Sequence, residues 1–235
     1  MFFKIGEKRY YLEDESDINC IMLYGSWARH ENDIYSDMDI LIVTESTVTK
    51  KYEIIDLEGN LLPQKWITIY SKESIERMKM YTSLFLWHIK IEAAYLYKRD
   101  SFMDEILNNL LEYNGTVEDI YQYKVICQDI KELMQKEQFT SVFYELSLLG
   151  SLVRNISIAY CYLNGKKSFG RNEPVAALLK AYPLFSMEEY KELYQFRLIY
   201  NNSIDKNYGQ VECLFVWKWI YIIEKMIKIM EDEYV

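Results

Sequence analysis

The chain has 235 residues, half of them hydrophobic, and a formal net charge of −9 at neutral pH. That length fits one large domain or two small ones. The acidic balance excludes a general nucleic-acid binder, which needs an excess of Lys and Arg against phosphate, and suits a small cationic substrate or a basic protein partner instead.

In chain order, the opening MFFKIGEKRYY lacks the long apolar core of a signal peptide. Residues 20–24 and 38–44 form two short apolar strand candidates. KYEIIDLEG (51–59) and QKWITIYS (64–71) read as two more, joined near Asn60 and Pro63. From Ser74 to Ile91 the pattern changes to helical spacing, with Ile75, Met78, Thr82, Phe85, Leu86 and Ile89 along one face. AAYLY (93–97) closes this mixed region as a last strand.

From Ser101 onward the pattern is helical throughout. Ser101 and Thr116 are candidate caps, and a third helix is predicted from about Thr140 to Asn164, ending before Gly165. Pro174 marks a short helix, Ser186 with Glu189 a capping box, and a last helix runs from about Gln210 to Met230. The late apolar run CLFVWKWIYII is short and interrupted by Lys218, so no membrane span is expected. Cys20, Cys127, Cys161 and Cys213 are widely spaced without a CxxC pair and read as buried thiols. The expectation is a soluble cytoplasmic protein of two domains. Residues 1–99 are mixed α/β (α+β), residues 100–235 a helical bundle that binds substrate, and the active cleft lies between them.

The chemistry concentrates in LYGSWARHENDIYSDMDILIV, residues 23–43. Carboxylates beside Ile40, Leu41, Ile42 and Val43 are costly unless a cation compensates them. Asp37 and Asp39, two residues apart in a strand, share one face. A hard divalent metal with oxygen ligands is their natural partner, and magnesium keeps one or two carboxylates plus substrate phosphates. Gly25 lets the backbone approach a phosphate closely, and Ser26 adds a hydroxyl donor.

Gly25-Ser26, ten residues, then Asp37-Met38-Asp39 resembles the signature of the polymerase-beta-like nucleotidyltransferase superfamily, with Ala28-Arg29 and Ser36 matching a common form of it. The segment LLGSLVRNISIAYCYLNGKKSFGRNEPVAALLKAYP (148–183) resembles the C-terminal helical domain of aminoglycoside nucleotidyltransferases. The resemblance implies a nucleoside triphosphate, most simply ATP, bound with Mg2+ and attacked at its α-phosphate by an acceptor hydroxyl. Asp37 and Asp39 would be catalytic metal ligands, Gly25 and Ser26 would hold the β- and γ-phosphates, and Arg29 and Ser36 would belong to the same nucleotide site. An aminoglycoside-like antibiotic would be the acceptor, and antibiotic resistance the role.

Three departures from the family pattern stand out. Trp66 and Thr68 occupy the strand where a third carboxylate usually lies, His30 follows the Ala-Arg pair where many members have glycine, and little room precedes the Gly-Ser strand for a helix. Glu145, supplied by the helical domain, is the general base the resemblance suggests. Glu92, Glu53 and Asp56 are the other candidates, and an exposed helix position is the structural alternative for Glu145. Two further functions fit: a toxin–antitoxin-type nucleotidyltransferase that modifies a protein partner, and a nucleotide-binding or interaction protein without catalysis.

Overall fold

In the computed structural model, residues 1–34, 36–46, 51–139, 141–202 and 213–235 are described. The chain divides into two compact units, Met1–Glu112 and Tyr113–Val235.

The first unit opens on β1 (Phe2–Ile5) and β2 (Lys8–Leu12), continues through β3 (Ile18–Tyr24), a single helical turn α1 (Gly25–Ala28) and β4 (Asp39–Thr44), and then β5 (Ile54–Asp56). After a 3-10 turn at Gln64–Trp66 come β6 (Ile67–Ser71), α2 (Lys72–Met80), α3 (Leu84–Glu92), β7 (Ala94–Lys98) and α4 (Phe102–Asn108). A mixed four-stranded sheet has the order β6-β4-β3-β7, in which β4 pairs parallel with β6 and β3 runs antiparallel to both β4 and β7. A second, antiparallel sheet has the order β1-β2-β5.

Strands β3 and β4 are apolar on both faces because both faces are covered. Ile21, Leu23, Ile40 and Ile42 join Phe3, Ile5, Tyr10, Leu12 and Ile54 from the small sheet in one buried cluster. Cys20, Met22, Leu41 and Val43 face the other way, onto Ile75, Leu86, Ile89, Met103, Ile106 and Leu107 from α2, α3 and α4. The mixed sheet is therefore the middle layer of its unit.

The structure adds to these expectations. The first twelve residues form the β1–β2 hairpin. KYEIIDLEG and QKWITIYS each contain a strand: β5 joins β2, and β6 joins β4 in parallel. The predicted Ser74–Ile91 helix is two helices, broken at Thr82, whose φ is 51°, with Ser83 capping the second through the Phe85 N–H at 3.2 Å. The two compact units divide after Glu112, and α4 buries Met103, Ile106 and Leu107 in the first unit's core.

The second unit is helical: α5 (Thr116–Gln135), α6 (Val142–Leu163), α7 (Glu173–Ala181), α8 (Met187–Asn202) and α9 (Cys213–Tyr234). Helix α6 is its core element, buried at Leu146, Leu149, Leu152, Val153 and Ile156. It is long and apolar enough to cross a membrane, yet 67% of that stretch is buried inside the protein, the mark of a core helix. Gly150 meets Leu193 of α8 at 3.5 Å from where a Cβ would stand. The capping box forms in both directions: the Ser186 N–H donates to Glu189 at 2.7 Å, and the Glu189 N–H to the Ser186 hydroxyl at 3.1 Å. The expected helix starts at Thr140 and Gln210 lie outside the described residues. Cys20, Cys127 and Cys161 are buried, whereas Cys213 is exposed.

Candidate active site

Strand β3 ends at Tyr24, and the chain turns sharply at Gly25, whose φ is 71°. Any side chain is strained there, and space forbids one as well. A Cβ on Gly25 would lie 2.3 Å from Asp39 Oδ2, well inside van der Waals contact. The turn continues as α1, with the Arg29 N–H donating to the Gly25 carbonyl at 3.1 Å and the Glu31 N–H to the Ser26 carbonyl at 2.9 Å. Trp27 and Ala28 pack against the first apolar cluster and hold the inner side of the turn.

His30 then takes a φ of 59°. This is the left-handed conformation that glycine adopts freely, so His30 stands in a backbone position for which glycine is the better residue. The left-handed region costs a residue with a Cβ about 1 kcal/mol. Because His30 is exposed, its replacement removes little packing. His30→Gly is expected to raise stability by about 1 kcal/mol, measured by denaturant unfolding with an unchanged m-value.

Strand β4 begins at Asp39, directly across from Tyr24 in the β3 ladder. Met38, Ile40 and Ile42 enter one apolar cluster while Leu41 and Val43 enter the other. By that alternation Asp39 belongs to the Leu41 face, whereas Asp37 lies before β4, outside the strand predicted for both acids. Asp39 leans against Gly25. Asp37 Oδ1 accepts a hydrogen bond from Trp66 Nε1 at 2.6 Å. Each carboxylate is thus oriented by a neighbouring segment: one by the missing side chain at the end of β3, the other by the turn that leads into β6.

No acid stands beside this pair on β6. That strand pairs Ile67 with Ile40 and Thr68 with Leu41, which puts Trp66 and Thr68 alongside the start of β4. Thr68 Oγ1 lies 3.3 Å from the Tyr24 hydroxyl. Among the described residues, no group of three or more His, Cys, Asp and Glu is placed to hold a metal ion. The donor set fits a hard divalent cation that takes two carboxylate oxygens from the protein and the rest from a ligand or water. It does not fit a closed structural site.

Behind the turn lies a partly buried ionic network. Arg29 pairs through Nε with Glu31 at 2.8 Å and through Nη1 with Glu92, whose side chain is only 5% exposed. His88 Nε2 meets the same Glu92 Oε2 at 2.8 Å, and the His88 ring stands edge-on to Tyr24, with centroids 5.4 Å apart. Burial raises the Glu92 carboxyl, but the hydrogen bonds and charges of His88 and Arg29 outweigh it and hold the group below its ordinary value of 4.5. A depressed carboxyl adds stability that is complete above its unfolded pKa and is lost as pH falls through the folded one. Acid unfolding of the wild type below about pH 4 is therefore expected to be steeper than that of Glu92→Gln, read from melting temperature against pH.

The other candidate residues are placed elsewhere. The Ser36 hydroxyl donates to Asp33 at 2.7 Å and accepts the Asp33 N–H at 2.9 Å, closing the loop before β4. Glu53 is exposed. Asp56 accepts the N–H groups of Glu58 and Asn60 and so organises the turn after β5. Glu145 is not an exposed helix position: it is fully buried on α6, within the second unit's own core. Trp66 as the partner of Asp37 is missed by sequence reasoning. The i, i+4 spacing of His88 and Glu92 on one helix is a signal that could have found their pairing.

Residues 8–102 match the family described as "Polymerase beta, Nucleotidyltransferase". No curated protein matches the chain. Among solved structures, the chain is similar to the spectinomycin adenyltransferase AAD(9) from Enterococcus faecialis, solved with ATP and spectinomycin. The two chains are 15% identical, with a TM-score of 0.49, over 90% of this chain and 92% of that one. The whole Gly25–Asp39 constellation lies inside the matched segment.

Proposed function

We propose that the chain is a magnesium-dependent nucleotidyltransferase that moves AMP from ATP to a hydroxyl of a small cationic acceptor, an aminoglycoside-like antibiotic being the first to try. The observation that carries this reading is the pairing of a glycine turn with an oriented carboxylate couple. Asp39 sits against Gly25, and Asp37 is fixed by the Trp66 indole.

In this account Asp37 and Asp39 hold the cation, and Gly25 and Ser26 meet the β- and γ-phosphates. Magnesium, when bound, neutralises phosphate charge and steadies the pyrophosphate leaving group. The residues do the rest by placement. Gly25 gives Asp39 room, Trp66 keeps Asp37 from turning away, and the acceptor oxygen displaces pyrophosphate from the α-phosphorus. The chain's net charge of −9 favours a cationic acceptor.

The experiment combines the protein with magnesium, labelled ATP and a panel of aminoglycosides, spectinomycin included. Pyrophosphate release with label on one acceptor is the expected result. The absence of release with every acceptor and every nucleoside triphosphate would remove the transferase reading.

A second reading has its own support in Trp66 and Thr68, which stand beside β4 where a third acid would complete the carboxylate set. It is a nucleotide-binding protein without turnover. Calorimetry separates the two, since binding of magnesium ATP without any product is its signature.

A further inference from the structure

Helix α1 is one turn long, too short to hold its own shape, since isolated short helices are marginal in water. Its inner side is anchored by Trp27 and Ala28 in the apolar cluster. Its outer end is capped by Arg29, with the Glu31 N–H on the Ser26 carbonyl at 2.9 Å beside it, and Arg29 is the residue whose side chain ties that end to α3. The Arg29 guanidinium reaches Glu92 at the last position of α3, and that carboxylate is nearly sealed from water. Glu92 in turn is held by His88 from one helical turn earlier, and His88 rests on Tyr24, the residue that leads into Gly25. The chain of contacts runs from the floor of the turn, around through α3, and back to its entrance.

We propose that Glu92 is a positioning residue: through Arg29 it braces the Gly25–Ser26 turn in the conformation that receives the triphosphate. This rests on the nucleotidyltransferase reading above and assigns a function to an acid that the reaction itself does not use. Glu92 is unsuited to be the general base considered for it, because its Oε2 already takes both His88 and Arg29. A brace of this kind acts by preorganisation: a turn held in its binding geometry does not have to be ordered when the ligand arrives. Being partly buried, the pair is screened less by salt than an exposed one.

The test is a double-mutant cycle on the full chain, with calorimetry of magnesium and a non-hydrolysable ATP analogue beside melting temperature. Arg29→Ala and Glu92→Gln are each expected to weaken binding about tenfold. The double variant should bind no more weakly than the weaker single, because both act through one contact. If Glu92→Gln fails to fold, Arg29→Lys keeps the charge opposite Glu92 and loses the planar fork. It should raise KM for magnesium ATP with little change in kcat. Single variants that melt lower yet bind like wild type would overturn the proposal, as would two losses that multiply. A wild type that binds no triphosphate would instead overturn the nucleotidyltransferase reading.

Discussion

Replacing Asp37 or Asp39 by asparagine is expected to lower nucleotidyl transfer by at least about a thousandfold while leaving the fold intact. A bound metal ion contributes several kcal/mol of charge stabilisation to the transition state, and each 1.36 kcal/mol is a factor of about ten in rate. Asparagine keeps the shape and an acceptor oxygen for the Trp66 indole, so the melting temperature should stay within a few degrees of wild type. The check is the rate of pyrophosphate release beside a thermal melt. A loss of rate in proportion to a loss of folded protein would mean that the aspartates serve structure and not catalysis.

Gly25→Ala is expected to damage both activity and stability, for separable reasons. The φ of 71° costs a residue with a Cβ about 1–2 kcal/mol. The new methyl would also overlap Asp39 Oδ2, 2.3 Å away, and force that carboxylate out of place. A misplacement on the order of 1 Å can cost about a hundredfold in rate, and a similar fall in kcat/KM is expected here, with a melting temperature several degrees lower. Gly59 supplies the control. Its φ is 87°, yet nothing lies within 4 Å of where its Cβ would stand. Gly59→Ala should lose comparable stability and keep its activity. Equal activity in the two variants would show that Asp39 does not need the space Gly25 leaves.

What could be read in the sequence follows the range of the forces involved. Strands β3 and β4 were legible because both of their faces are buried, so their apolar runs are continuous and end sharply at Tyr24 and Thr44. The carboxylate couple was legible for the same reason: two acids at strand spacing beside such a run stand out. The helical second unit follows from capping residues such as Ser186 and Glu189, which act within one turn.

Long-range pairing was not legible. Strand β5 lies next to β6 in sequence but pairs with β2, because Ile54 is buried in the cluster of the small sheet. The break between α2 and α3 falls at Thr82, a residue type that gives no warning of a φ of 51°. The hydrogen bond that orients Asp37 comes from Trp66, 29 residues along the chain, and only the parallel register of β4 and β6 brings them together. The α1 turn shows both sides of this. Its Gly25 announced a sharp bend, whereas the pairing of its capping Arg29 with Glu92, 63 residues away, needed the fold.

A structure of the protein with manganese and a non-hydrolysable ATP analogue tests the central claim most directly, since the metal can be located by its anomalous scattering. An ion is expected at about 2.0–2.2 Å from oxygens of both Asp37 and Asp39, sharing phosphate oxygens with a nucleotide whose β- and γ-phosphates rest on Gly25 and Ser26. A triphosphate bound away from that turn, or an ion that touches neither aspartate, would contradict that claim.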